Sequence, residues 1–243
     1  MAKKISLKQF LMKTGNFEKV FDCVQAVRKG KVTINNKTIT NPNYFFNPKS
    51  LVKFSNEKIK PVQKLYFLMN KPAGYLSQKS GDEKTIYDLI EKLNLSKEPK
   101  QSLYAVGRLD KDTEGLMIIT NDGELSNKIT NPRNEIVKKY YAVLEKFIDI
   151  NKIKMLEKGV EIKIENETYK TKPCKIKIVG EKEVYILILE GKKRQIRKMF
   201  EAIDNKVVYL RRVSIAGLQL GNIKIGEFKE VKREEIYKSL DVE

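Results

Sequence analysis

Apolar positions along the chain recur at two spacings, and the change of spacing divides it. In residues 1–58, Leu7, Phe10 and Leu11 mark one helical face. Val20, Phe21, Val24 and Val27 mark a second, with Asn16 as its expected N-cap. Val32-Thr33-Ile34 and Thr38-Ile39 then flank Asn35-Asn36, a pair that tolerates the left-handed turn of a tight hairpin. Residues 59–64 carry a proline among polar neighbours and read as a linker. Beyond it, short apolar runs predict strands at 65–69, 103–106, 116–120, 138–144, 169–179, 184–189 and 207–212. The run 184–189 is nearly continuous, which predicts burial on both faces. Helical spacing returns at Ile86, Leu89, Ile90 and Leu93 behind a Thr85 cap, and at Leu125 and Ile129 behind an Asp122 cap. It recurs over 152–160 and at Ile196, Met199, Phe200 and Ile203. Gly217, Gly221 and Gly226 punctuate a closing β segment. Strands and helices do not alternate regularly, so the fold class is α+β, with a mixed, mainly antiparallel sheet over 65–243 and a small N-terminal α/β module over 1–58.

Composition narrows the chemistry. The 243 residues hold 49 Lys and Arg against 31 Asp and Glu, a formal charge of +18. Such an excess suits a polyanion, with nucleic acid first and an anionic membrane surface as the rival. No apolar run approaches the roughly 18 residues that span a membrane, and no signal-peptide pattern opens the chain, so a cytoplasmic protein is expected. There is no histidine. That removes His-dependent triads, His–metal sites and imidazole acid–base chemistry. Cys23 and Cys174 lie far apart without ligand-like spacing and read as reduced thiols. Arg is scarce in this Lys-rich chain, so its positions suggest sites that need a planar fork.

The charged stretch 107–116, Gly-Arg-Leu-Asp-Lys-Asp-Thr-Glu-Gly-Leu, sits between two strand-like runs, a placement typical of catalytic groups. By charge alone it reads as a solvated turn. A calcium loop fits Asp110, Asp112, Glu114 and Gly115 at its first positions but fails at the twelfth, which is Asn121. The third reading is that one Asp does chemistry.

That string resembles the active-site loop of pseudouridine synthases, and the likeness continues through Asn121-Asp122-Gly123-Glu124-Leu125 and the earlier Asn70-Lys71-Pro72-Ala73-Gly74. It is closest to the RsuA-like family, which modifies ribosomal RNA, and it covers residues 65–235. The resemblance implies the pseudouridine-synthase fold, Asp110 as the catalytic residue, no cofactor and no metal. Lys138-Lys139-Tyr140-Tyr141-Ala142-Val143 resembles the family's Lys-x-Tyr-x-Val strand, whose Tyr packs on the target base. The register that fits puts Lys139 and Tyr141 at the motif positions, with Tyr140 as the adjacent-register alternative facing the other way. Arg194-Gln195-Ile196-Arg197 resembles the Arg-Gln-Ile-Arg motif, whose final Arg pairs with the catalytic Asp. Ile196 and Leu210 would floor the pocket, and Arg108 would hold the loop or a phosphate. Lys192, Lys193, Arg194, Arg197 and Lys198 place cations at a helix start, against the macrodipole, where anions are the natural partners. Residues 1–58 resemble the S-four-type RNA-binding module, in which Lys8, Arg28, Lys29 and Lys31 would contact phosphates. The implied partner is ribosomal RNA of the small or large subunit, with no membrane and a monomer as the default state. A non-catalytic RNA-binding assembly factor is the alternative.

Overall fold

A computed structural model describes residues 4–240 except Glu18 and Asn166. It divides into two compact units, 1–65 with 90–104, and 66–89 with 105–243. The division is not linear: residues 90–104, which lie beyond the linker, belong with the first unit.

The first unit opens with β1 (Ile5–Ser6), α1 (Leu7–Met12) and α2 (Val20–Arg28). Next come β2 (Val32–Ile34), β3 (Lys37–Thr38), β4 (Phe45–Phe46), β5 (Val52–Phe54) and β6 (Glu57–Ile59). Its sheet runs β3-β2-β5-β6. Asn35 and Asn36 sit at φ 50 and 65°, the left-handed turn expected of that pair. Two expectations fail in α2. Its cap is Lys19, not Asn16, and it buries Cys23, Ala26 and Val27 while Val20 and Phe21 stand exposed. The stripe that packs includes the small residues Cys23 and Ala26, which carry little apolar signal in the sequence. After α3 (Ile86–Ile90) the chain returns to this unit with α4 (Lys97–Ser102). Gly15 is needed there: at φ +73°, a Cβ would lie 2.0 Å from the Glu98 carbonyl oxygen.

The second unit is built on β7 (Tyr66–Lys71), β9 (Glu114–Thr120), β10 (Lys138–Leu144) and β15 (Val207–Ile215), with the short β8 (Tyr104–Ala105) paired to β9. With β13 (Lys175–Ile178), β14 (Glu183–Ile188) and β17 (Phe228–Glu230), the order is β13-β14-β10-β15-β9-β7-β17. The β15–β9 pair is parallel and its neighbours along this path are antiparallel, as the α+β reading expected. The expected strand over 169–179 is two strands. β12 (Glu167–Lys170) forms a hairpin with β11 (Glu161–Ile164), and β13 follows after a break at Thr171-Lys172-Pro173. β14 is not buried on both faces: Val184, Ile186 and Ile188 are buried, while Glu183, Tyr185 and Leu187 alternate as half-exposed. Tyr185 is amphipathic enough to keep one side wet.

Helices α5 (Gly123–Thr130), α6 (Ile150–Lys158), α7 (Gln195–Glu201) and α8 (Arg233–Leu240) complete this unit, with β16 (Leu218–Gln219) beside β15. Asp122 caps α5, accepting from the Glu124 N–H, and also accepts from the Tyr66 hydroxyl at 2.9 Å. Leu125 and Ile129 of α5 join Ile236 and Leu240 of α8 on a core shared with Leu68, Leu116 and Ile118. α8 was not foreseen, because only two apolar positions anchor it in a charged segment.

The parallel junction of β15 with β9 requires Gly115. It sits at φ +109°, and a Cβ there would meet the Arg212 carbonyl oxygen at 2.2 Å and nitrogen at 2.6 Å. Gly115→Ala should lower unfolding free energy by about 3 kcal/mol, the sum of a disallowed backbone conformation and overpacking. A denaturant titration reads this directly, and an unchanged midpoint would refute it.

Candidate active site

The loop 107–113 enters β9, and its shape is set by one side chain from the end of β7. Lys71 is fully buried. Its ammonium donates to the carbonyls of Pro72 and Thr113, both at 2.9 Å, and of Asp110 and Lys111 at 3.2 and 3.3 Å. Three N–H bonds serve four oxygens, so the amine is shared across the turn. Burial pushes the Lys71 pKa down to about 8, opposed by the carboxylates of Asp112, Asp110 and Glu114. The segment after β7 adds to the grip. Ser77 donates to the Leu109 carbonyl at 2.7 Å and accepts the Leu109 N–H at 3.0 Å. The Gly74 N–H donates to the Lys111 carbonyl at 2.8 Å. Within the loop, the Thr113 N–H donates to the Asp110 carbonyl. Asp110 is therefore held on a rigid turn. It is half-buried, and it lines a cavity of about 850 Å³ in this unit.

The cavity collects residues from separate strands and loops. Arg108, Asp110 and Thr113 come from the loop, Lys138 and Tyr140 from β10, Leu210 and Arg212 from β15. Lys192, Lys193, Arg194 and Ile196 come from the turn into α7 and from α7 itself. Ile196 and Leu210 are buried in its wall. Among the described residues, Thr113 Oγ1 and Arg212 Nη2 are buried without a hydrogen-bond partner, and both residues line this cavity. Buried polar groups are ordinarily satisfied, so these two are exceptions in the residues that line the cavity.

The alternation of β10 decides which tyrosine faces the cavity. Tyr140 lines it, 7% exposed, beside Lys138. Tyr141, the expected base-packing residue, lies on the opposite face. Its ring is 5.5 Å from Tyr185 and 6.1 Å from Tyr209, and a hydrogen bond to Glu183 raises its hydroxyl pKa. Lys139 follows Tyr141, with its ammonium 4.3 Å from the Tyr185 ring centre. The strand therefore brings Lys138 and Tyr140, and not Lys139 and Tyr141, to the cavity wall. Burial pushes the Lys138 pKa down to about 8, with Arg212 nearby adding to the effect.

The arginines of α7 also differ from expectation. Arg197 does not pair with Asp110. Its Nη2 lies 3.1 Å from Asp112 Oδ2 and donates to the Asp112 carbonyl at 3.3 Å, while Nη1 donates to the Val207 carbonyl at 2.7 Å. Arg194, at φ 53°, pairs with the same carboxylate at 3.2 Å. Both arginines therefore clamp the loop through Asp112, leaving Asp110 on the cavity side. Arg108 reaches Gln78 at 3.4 Å, and Lys111 pairs with Glu83.

One wall was not foreseen. Glu190, 8% exposed at the end of β14, accepts from the Tyr169 hydroxyl, from the Lys172 N–H at 2.9 Å and from Gln195 Nε2 at 2.6 Å. The Tyr169 pKa is pushed up to about 12, chiefly by that hydrogen bond. Lys71, Ser77 and Glu190 act through backbone carbonyls and hydrogen bonds across the fold, which leave no periodic signal. Tyr140 was legible as the adjacent register. In the first unit, Arg28 and Lys29 end α2 and Lys31 follows, all three exposed, with Lys8 half-buried on α1.

The buried amines give a sign-definite pH dependence. Between pH about 8 and the ordinary lysine value, the unfolded chain holds a proton at Lys71 that the native state has released. Stability contributed by this group therefore rises with pH across that window. Comparing wild type with Lys71→Met by denaturant melts from pH 7 to 10 should show the variant lacking a rise of order a few kcal/mol. Parallel pH curves for the two proteins would refute this account of Lys71.

Comparison with known proteins bears on this geometry. Residues 65–202 match the RNA pseudouridylate synthase family. Ribosomal large subunit pseudouridine synthase B of Bacillus subtilis is 32% identical over 220 residues, covering 87% of this chain and 86% of its own length. Ribosomal small subunit pseudouridine synthase A of Salmonella typhimurium is 33% identical over 214 residues, covering 86% and 89%. A crystal structure of a pseudouridylate synthase superposes with a TM-score of 0.68 at 29% identity, covering 97% of this chain and 99% of that one. The sequence match and the shared fold place the chain in the RNA pseudouridylate synthase family, in its RsuA-like group.

Proposed function

We propose that this enzyme converts a uridine of ribosomal RNA to pseudouridine, with Asp110 as the catalytic residue. The observation that carries the assignment is the position of Asp110: a half-buried carboxylate on a turn fixed by Lys71, facing a cavity floored by Ile196 and Leu210. In the reaction the bond from N1 to the sugar breaks, the uracil turns, and a carbon–carbon bond forms from C5, whose hydrogen leaves as a proton. The isomerisation balances without a co-reactant. Asp110 serves as nucleophile or base at the nucleoside. Tyr140 packs on the flipped uracil, and Thr113 Oγ1 and Arg212 Nη2 supply polar contacts to it. Arg194 and Arg197 position the loop through Asp112. Leaving the helix stack costs the target base a few kcal/mol, which phosphate contacts to the basic surface offset. Arg28, Lys29, Lys31 and Lys8 of the first unit, with Lys192 and Lys193 of the second, are the proposed phosphate contacts. The ribosomal substrate is supported by the names of the relatives.

Release of tritium from C5-labelled uridine in small- and large-subunit ribosomal RNA transcripts tests the reading. Wild type should release label from one of them, and Asp110→Asn should be at least about a thousandfold slower. Full turnover by Asp110→Asn would overturn the catalytic assignment. Tyr140→Ala should fall by roughly tenfold or more through lost stacking, while Tyr141→Ala stays near wild type. The reverse order would return the base contact to Tyr141. Transcript affinity should also drop steeply between 50 and 200 mM salt, by about 10³-fold if roughly six phosphates are contacted. A flat salt dependence would remove the phosphate contacts from the scheme.

A further inference from the structure

The cavity has more room than one nucleotide uses. A space of about 850 Å³ lies in the upper part of the range that encloses a drug-sized ligand, and a uracil with its ribose is smaller than that. Asp110 precedes β9 and Glu190 follows β14, so the cavity wall at Glu190 is contributed separately from the Asp110 loop.

That wall is built for a specific occupant. Tyr169 lines the cavity, and its hydroxyl is fixed by the buried Glu190 carboxylate, itself held by Lys172 N–H and Gln195. The β11–β12 hairpin that carries Tyr169 is tied to α7, because Lys198 donates to the Lys163 carbonyl at 2.6 Å. The ring is thus preorganised rather than free to swing. The Lys192 ammonium stands 4.6 Å from the ring centre, and among the described residues no carboxylate pairs with it. A fixed aromatic ring with a cation over one face, neutralised by no carboxylate among the described residues, is the chemistry that holds an unpaired base and its phosphate.

We infer that Tyr169 and Lys192 form a second nucleotide subsite, which takes an unpaired base adjacent in the strand to the target uridine. The inference rests on the RNA substrate proposed above and adds a determinant of which uridine is chosen, since contacts to flanking nucleotides set context preference in enzymes that flip a base.

The test uses the full chain and an RNA fragment that the wild type modifies, with the nucleotide on either side of the target made abasic in turn. Tyr169→Ala should lower kcat/KM about tenfold or more, while Tyr169→Phe, which loses the same hydrogen bond to Glu190 but keeps the ring, stays within about twofold. Removing the base at one flanking position should slow wild type by a similar factor and leave Tyr169→Ala unaffected, because both changes delete one contact. Independent, additive losses would overturn the subsite. So would a Tyr169→Phe loss equal to that of Tyr169→Ala, which would make the hydroxyl's grip on Glu190 the whole effect. If wild type modifies no ribosomal transcript, the substrate assignment has failed, and filter binding of the same transcripts decides the subsite separately. Weaker binding by Tyr169→Ala supports it, and equal affinity overturns it.

Discussion

The ammonium of Lys71 is the constraint on which the site depends. Fully removing a lysine from water is unfavourable, and here the loss is offset by four carbonyls that would otherwise converge on each other with their negative ends. Each needs the other: the turn that presents Asp110 closes only around a donor, and the donor is tolerated only inside the turn. The close approach of Gly115 to Arg212 fixes the other end of the same loop against β15. Between these two anchors the loop has little freedom, so Asp110 can stand in the cavity without an ion-pair partner among the described residues. Its neighbour Asp112 takes both arginines.

That division of labour between two carboxylates two residues apart is the least intuitive property of the loop. A guanidinium locked onto Asp110 would compete with the chemistry proposed for it. Pairing Arg194 and Arg197 with Asp112 places positive charge beside the loop and fixes its path, yet leaves the Asp110 oxygens free. The exposed side of Asp112 makes each ion pair weak as a source of stability, because solvent screens it. The buried bonds of Arg197 to the Val207 and Asp112 carbonyls are what give the clamp its rigidity.

Much of the fold was legible because it depends on local pattern. Strands at 116–120 and 138–144, the Asn35-Asn36 turn and the Asp122 cap follow from period, propensity and side-chain length. What was not legible depends on tertiary geometry. The Tyr140–Tyr141 choice turns on one residue of register, and adjacent aromatic residues give the alternation nothing to distinguish. Arg197 was assigned to the wrong carboxylate because spacing along the chain does not say which way a turn aims its side chains. The packing stripe of α2 escaped because Cys23 and Ala26 are small, and residues 90–104 escaped because a return to an earlier unit leaves no mark in sequence.

The charge distribution of the second unit separates cations that hold the fold from cations that await a ligand. Lys71 is satisfied by carbonyls, Lys111 by Glu83, Lys172 by Glu135, and the two α7 arginines by Asp112. Along the cavity, Lys192 lies over the Tyr169 ring without a carboxylate partner among the described residues, and Arg212 keeps a buried N–H without an acceptor. A net charge of +18 alone would predict diffuse adhesion to any polyanion. In the proposed subsite, a cation over an aromatic ring adds registration to that adhesion. On the proposed reading, the strand is drawn in by charge, and the uridine that reaches Asp110 is selected by what its neighbour can stack on.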